Sequence, residues 1–155
     1  MVRILILLTL LAIAYVDVKK MIIPNYLNLL LLFLAFLYRG TDLENIENGI
    51  IGMGVYCIPF VLIYGYLSDF MKKEVLGFGD IKLVLPLGYI MGYSNCSEVY
   101  FFFVLSFLIS TVIGVIVGIS KRNFSLALPF SPFIIITFLY YWSSDFIWRE
   151  KGWYL

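Results

Sequence analysis

Apolar residues in this chain are grouped in six long blocks, and most of the charged residues lie between the blocks. The blocks cover residues 4–16, 22–38, 49–67, 76–93, 99–119 and 128–148. Lys19 and Lys20 follow the first block, and Lys121 and Arg122 follow the fifth. A transmembrane helix needs roughly 20 predominantly apolar residues. The pattern therefore predicts an all-α, polytopic membrane protein with about six transmembrane helices.

Composition supports this prediction. Of the 155 residues, 63% are hydrophobic and 14% are charged, whereas ordinary soluble domains are about 45–50% apolar and about 25% charged. A soluble fold of this size has too little interior for so much apolar surface. We therefore expect residues 1–155 to form a single integral-membrane domain with short loops. Gly88 and Gly92, four positions apart in the fourth block, suit close packing between helices.

Charge and residue usage exclude several kinds of chemistry. Eleven basic and ten acidic residues give a net charge of +1, so there is no basic field for nucleic acid. The chain has no histidine, which excludes His-based catalytic triads and His metal sites. Cys57 and Cys96 do not form a CxxC pair, so a zinc or redox motif is unsupported. We expect no nucleic-acid partner, no metal and no cofactor.

The positive-inside rule predicts the orientation. With the N-terminus outside, seven basic residues lie at the inner side: Lys19, Lys20, Lys72, Lys73, Lys82, Lys121 and Arg122. Four lie at the outer side: Arg3, Arg39, Arg149 and Lys151. The polar stretch 39–48 becomes an outer loop. An alternative is that the first block is a signal peptide cleaved near Ala12–Ala14, but Lys19 and Lys20 argue against export of the following chain.

Asp80 is the most informative polar residue. It lies in Gly77-Phe78-Gly79-Asp80, at the start of the fourth apolar block. A carboxylate at membrane depth is costly, by about 2.5–3.5 kcal/mol on insertion scales, and such groups usually face a cavity or a partner. Glycines on either side of Phe78 allow backbone or substrate to approach Asp80 closely. The alternative is structural, because aspartate also favours helix starts through the helix dipole.

Asp17 is the second candidate, at the end of the first block. In the predicted topology Asp17 and Asp80 lie at the same, inner membrane boundary. Two carboxylates brought close together share a proton, which allows one to activate a water while the other polarises a carbonyl. The alternative for Asp17 is a surface aspartate paired with Lys20. Pro24 and Asn25 predict a turn and a helix start, with Asn25 capping the second helix.

Three motifs resemble a known family. Gly77-Phe78-Gly79-Asp80 resembles the GxGD motif of intramembrane aspartyl proteases. Asp17 followed by Pro24-Asn25 resembles the D-x6-PN pattern of type IV prepilin peptidases. Residues 129–133, Pro-Phe-Ser-Pro-Phe, are similar to that family's PFGPF stretch, with Ser131 in place of the central glycine. The order of the motifs and the six apolar blocks extend the resemblance over essentially the whole chain.

The resemblance implies a multi-pass aspartic-type endopeptidase of the inner, or cytoplasmic, membrane. Such an enzyme removes a short, positively charged leader from type IV prepilin-like or preflagellin-like proteins at the cytoplasmic face. By motif, Asp17 and Asp80 are the catalytic pair, and Gly77, Gly79 and the 24–25 pair support them. The partners implied are this substrate and membrane lipid, with the oligomeric state open. Nothing here resembles the methyltransferase region of bifunctional members, so we expect a short form without N-methylation or zinc.

Two alternatives to the protease remain open from the sequence. In the first alternative, the chain is a small transporter or channel subunit that uses Asp17 and Asp80 as proton or ion sites. A proton site does not require glycines on both sides of Phe78, so the motif set favours the protease. The other alternative is an inactive assembly partner of a pilus machine.

Overall fold

The protein folds as a set of packed helices. A computed structural model describes residues 1–72, 76–122 and 128–150. Seven α-helices occur in these ranges: α1 Val2–Lys20, α2 Asn25–Arg39, α3 Leu43–Leu62, α4 Ser68–Met71, α5 Phe78–Met91, α6 Cys96–Lys121 and α7 Ser131–Glu150. A π-helical turn, Ile63–Leu67, joins α3 to α4. These ranges contain no strand, which confirms the prediction of an all-α fold.

A tight turn reverses the chain between α1 and α2. Met21 adopts the left-handed conformation (φ 53°, ψ 38°), and its N–H donates to the carbonyl of Asp17 at 2.7 Å. Pro24 is extended (φ −66°, ψ 129°) and occupies the N-cap position of α2. The prediction that Asn25 caps this helix is therefore wrong. Asn25 is the first helical residue, and its side chain binds α5 instead.

Helix α3 begins before the apolar block that predicted it. It starts at Leu43, so the polar stretch 39–48 is helical over its second half, and the prediction of a loop there is partly wrong. The polar residues have a structural use that hydropathy does not reveal. Asn48 accepts a hydrogen bond from the N–H of Tyr93 at 2.6 Å and donates to the Tyr93 carbonyl at 3.2 Å. This amide therefore ties the start of α3 to the loop between α5 and α6.

Helix α5 lies at the centre of the fold, packed against α2, α3 and α7. Nine of its 14 residues are buried, and they occur on every side of the helix. A helix that is apolar all round is typical of a core position. At about 1.5 Å per residue, α5 is only about 21 Å long, shorter than the hydrocarbon core of about 30 Å. Asp80 therefore lies at one end of a short helix that its neighbours bury.

Glycines allow α3 and α5 to cross in backbone contact. A Cβ added to Gly52 would lie 2.5 Å from the Gly88 carbonyl oxygen and 2.7 Å from the Cα of Gly92. A Cβ added to Gly88 would lie 2.8 Å from the Gly52 carbonyl oxygen. The prediction that Gly88 and Gly92 support close helix packing is confirmed. This contact fixes α5 against α3 and leaves no room for any side chain at the crossing.

Two helices in the described part of the chain are long and apolar enough to cross a membrane, Leu43–Tyr66 and Cys96–Lys121. Asn25–Arg39 is a shorter apolar helix. Large apolar side chains on the outer faces are exposed, for example Leu29, Phe33 and Ile116 at 69%, 59% and 60%. Exposed apolar surface of this extent is costly in water and fits a location in lipid.

Replacing Gly52 by alanine should destabilise the fold, whereas replacing Gly54 should not. The Gly52→Ala side chain overlaps the α5 backbone, and overpacking of this kind costs about 1–3 kcal/mol. Gly54 has no atom within 4 Å of the position of an added Cβ, so Gly54→Ala gains helix propensity without a clash. Thermal unfolding in detergent checks the pair. Equal melting temperatures for the two variants would contradict a backbone contact at this crossing.

Candidate active site

The two candidate carboxyl groups are buried at the ends of different helices. Asp17 lies in the last turns of α1 and is 5% exposed, and Asp80 lies in the first turn of α5 and is 7% exposed. Aspartate is almost never this buried unless it has partners. The alternative that Asp17 is a surface aspartate is therefore wrong. Asp69, by contrast, is exposed on α4.

Both carboxyl groups line one cavity of about 440 Å³. Its walls are Asp17, the turn 21–25, residues 77–80 and Lys82. All six residues that the sequence predicted for the site line this cavity: Asp17, Pro24, Asn25, Gly77, Gly79 and Asp80. Asn25 and Phe78 at its edge are exposed, so the cavity reaches the protein surface. The structure thus brings together residues that lie 63 positions apart in the sequence.

Asp17 is held by the start of α7. The Ser131 hydroxyl donates a hydrogen bond to Asp17 Oδ2 at 2.6 Å, and the Ser131 N–H donates to the same oxygen at 3.3 Å. Donors at a helix N-terminus favour a negative charge. This role of Ser131 was not predicted from the sequence, where the residue stands out only as a departure from a motif. The available signal was a serine at a predicted helix start, where serine commonly supplies a hydroxyl.

Asp80 also has a structural role at the start of its own helix. It lies three residues after Gly77, the N-cap residue, and its own N–H donates to the Gly77 carbonyl at 3.0 Å. An acidic side chain in the first turn favours a helix start through the helix dipole. The structural alternative for Asp80 is therefore correct as a local description, and it coexists with a place in the cavity. Asp80 also interacts electrostatically with Asp17.

The two glycines of the motif allow close approach on opposite sides of the first turn of α5. A Cβ on Gly77 would lie 3.0 Å from Asp80 Oδ2. A Cβ on Gly79 would lie 3.3 Å from the Cβ of Ile23, in the turn between α1 and α2. The first glycine therefore leaves room for the carboxyl group, and the second lets α5 pack onto the turn that follows Asp17.

Lys82 connects α5 to the start of α2. Its ammonium donates to Asn25 Oδ1 at 3.2 Å and lies 4.8 Å from the centre of the Phe78 ring. Its backbone carbonyl accepts a hydrogen bond from Asn28 Nδ2 at 2.6 Å. Pro86, four residues later, has no N–H to offer that carbonyl. Asn28 therefore satisfies the group that the proline leaves, a role that the sequence analysis did not identify.

The cavity combines two acids with one ammonium group among the residues that line it. Within the ranges that the structure describes, no group of three or more His, Cys, Asp or Glu residues could hold a metal ion. Two carboxyl groups that face one cavity open to the surface can supply a proton acceptor and a proton donor to the same water. This arrangement defines a class of site suited to acid–base hydrolysis without a metal ligand set.

Similarity to known proteins agrees with this class. Residues 4–119, which include both aspartates but not Ser131, match the type IV leader peptidase family. The chain belongs to that family. No solved structure matches it.

Three of the relatives that this chain matches illustrate the similarity, and each is named prepilin leader peptidase/N-methyltransferase. The protein from Vibrio cholerae is 32% identical over 126 residues, which cover 80% of this chain and 48% of the relative. The protein from Pectobacterium carotovorum is 29% identical over 129 residues, with coverage of 82% and 45%. The protein from Neisseria gonorrhoeae is 25% identical over 150 residues, with coverage of 94% and 50%. The chain spans about half the length of these relatives.

Asn28→Ala should lower the free energy of unfolding by about 1–3 kcal/mol, because it leaves the Lys82 carbonyl without its donor. Pro86→Ala restores an N–H that can bond this carbonyl within α5. In the Pro86→Ala background, the cost of Asn28→Ala should therefore fall by half or more. Reversible denaturation of the four proteins of this double-mutant cycle measures the coupling.

Asn45→Ala is the control for this cycle, since the Asn45 amide donates only to Asp42 at the surface, at 3.4 Å. It should cost little in either background. Additive effects of Asn28→Ala and Pro86→Ala would show that Asn28 does not compensate the proline.

Proposed function

We propose that this chain is a membrane aspartic-type endopeptidase that removes the leader peptide from type IV prepilin-like or preflagellin-like proteins. Asp17 and Asp80 are its catalytic pair. The observation that carries the proposal is the single cavity lined by both buried carboxyl groups. The names of the relatives supply the substrate class. Their second activity, N-methylation, is not part of the proposal.

The reaction is hydrolysis of one peptide bond by one water. One carboxylate of the pair takes a proton from the water as the water oxygen attacks the scissile carbonyl carbon. The other carboxyl, which is protonated, gives its proton to the carbonyl oxygen. Collapse of the tetrahedral intermediate then breaks the C–N bond, and the leaving amine takes up a proton from the pair. The products are a leader with a new carboxyl end and a mature protein with a new amino end.

The motif residues around the pair contribute by holding the two carboxyl groups in place. Gly77 leaves space beside the Asp80 carboxyl, and Gly79 allows close contact with the turn that carries Pro24 and Asn25. Asn25 then holds the Lys82 ammonium at the cavity edge. These contacts keep α1, α2 and α5 in register, so that the two carboxyl groups face the same water.

We further propose that residues 1–155 form one integral-membrane domain in the inner membrane. It has about six spans, with membrane lipid around the exposed apolar faces. The inner end carries Lys19, Lys20 and Lys72, and the cavity opens on this side. A leader that stays in the cytoplasm can then reach the cavity directly. The transporter or channel alternative is not favoured, because membership of a peptidase family accounts for the same two aspartates.

Asp17→Asn and Asp80→Asn should each abolish cleavage of a prepilin in membranes, by about 10⁴-fold or more. Asparagine keeps the size of the side chain but removes the titrating proton. The double variant should lose no more than either single variant, because the pair acts as a unit. Asp69→Asn is the matched control and should keep most activity, since Asp69 is exposed on α4. Near-normal turnover by Asp17→Asn alone would contradict the pair.

Labelling from outside intact cells checks the orientation. In a Cys57→Ser/Cys96→Ser background, Glu44→Cys should react with an impermeant thiol reagent and Lys72→Cys should not. Both positions are exposed, so access to the protein surface is matched. Reaction at 72 without reaction at 44 would place the cavity on the wrong side for leader removal.

A further inference from the structure

Ser131 is completely buried, and its hydroxyl and its backbone N–H both donate to the same carboxyl oxygen. Its exposed fraction is 0%, and its Oγ–H and N–H both donate to Asp17 Oδ2, at 2.6 and 3.3 Å. We propose that Ser131 is a positioning residue that fixes the Asp17 carboxylate in the orientation needed to activate water. Oδ2 is committed to Ser131, and Oδ1 is the oxygen that takes the proton from water. This inference rests on the proposed peptidase function.

The sequence around Ser131 directs its backbone N–H to Asp17. Pro132 follows it and has no N–H. The next two amides, of Phe133 and Ile134, donate to the Phe130 carbonyl at 3.1 and 3.4 Å. The amide of Ser131 is therefore the one in this first turn that binds the carboxylate. Since the hydroxyl donates to the same oxygen, the carboxyl group cannot rotate without breaking both bonds.

Aromatic packing fixes the position of Ser131 itself. The ring of Phe130, immediately before it, lies 4.9 Å from the ring of Phe107 on α6 and 6.4 Å from the ring of Phe60 on α3, between centroids. Phe133 packs on Phe130 at 6.4 Å. Such contacts add stability beyond the area that they bury. The start of α7 is thus anchored to two other helices, and the hydroxyl is presented to Asp17 from a rigid support.

The charged groups that face the Asp17 carboxylate across the cavity are Asp80 and Lys82, both from α5. The first turns of α2 and α7 bring no acidic side chain. A donor aimed at a carboxylate stabilises its charged form. Ser131 therefore sets the direction of the Asp17 lone pairs and supplies the donors that a charged carboxylate needs in a buried site.

Ser131→Ala should lower kcat by about tenfold or more and leave KM within about twofold, because the hydroxyl acts on the catalytic group and not on the substrate. Ser106→Ala is the matched control. Ser106 is also a fully buried serine, but its hydroxyl donates to the Phe102 carbonyl within α6, at 2.8 Å. It should keep kcat near the wild-type value. Ser131→Thr retains the hydroxyl and should recover most of the lost rate. Thermal unfolding of each variant shows whether it is folded.

A second measurement needs no substrate. An apolar carbodiimide reacts with protonated carboxyl groups, and mass spectrometry of peptides reports the rate at each aspartate. Loss of the hydroxyl donor should make Asp17 react several-fold faster in Ser131→Ala than in Ser106→Ala. Failure of wild-type protein to cleave any prepilin would refute the proposed function, whereas the labelling still tests the contact. The inference is overturned if Ser131→Ala keeps wild-type kcat, or if Asp17 labels equally fast in both serine variants.

Discussion

Two carboxyl groups are buried in an otherwise apolar protein, and their burial determines which helix ends must pack together. Neither Asp17 nor Asp80 can be desolvated without donors that compensate the lost water. The structure supplies these donors from helix starts. The first turn of α7 binds Asp17 through Ser131, and Asp80 lies in the first turn of α5, at the positive end of the helix dipole. The end of α1 and the starts of α5 and α7 must therefore meet at one point.

The remaining contacts hold the helices in the positions that bring these three helix ends together. Gly52 and Gly88 hold α5 against α3 by backbone contact, and Asn28 holds α5 against α2 where Pro86 interrupts the hydrogen bonding of the helix. The phenylalanines around Phe130 anchor α7. The first two contacts use residues that are unfavourable in an isolated helix, glycine and proline. A rigid frame that holds two acids near one water is what electrostatic preorganisation requires.

Much of this architecture follows from the sequence, and the exceptions have physical causes. Every apolar block contains a helix, because hydropathy is a local property, and the six site residues predicted from the motifs line one cavity. The early start of α3 was not predicted because its first turns are polar. One of these polar residues, Asn48, binds the backbone of Tyr93. The prediction that Asn25 caps α2 was wrong because Pro24, with its extended backbone, occupies the N-cap position. Ser131 was missed because its partner lies 114 positions away.

A bridging reagent can measure whether Asp17 and Asp80 lie close together in the membrane-embedded protein. Asp17→Cys/Asp80→Cys protein, in a Cys57→Ser/Cys96→Ser background, is treated in membranes with a short bifunctional thiol reagent that fluoresces only after it has bridged two cysteines. We expect efficient bridging of this pair and none for Asp17→Cys/Asp69→Cys, since Asp69 is exposed on α4 and does not line the cavity. Single modification at both 17 and 80 without a bridge would contradict a shared site.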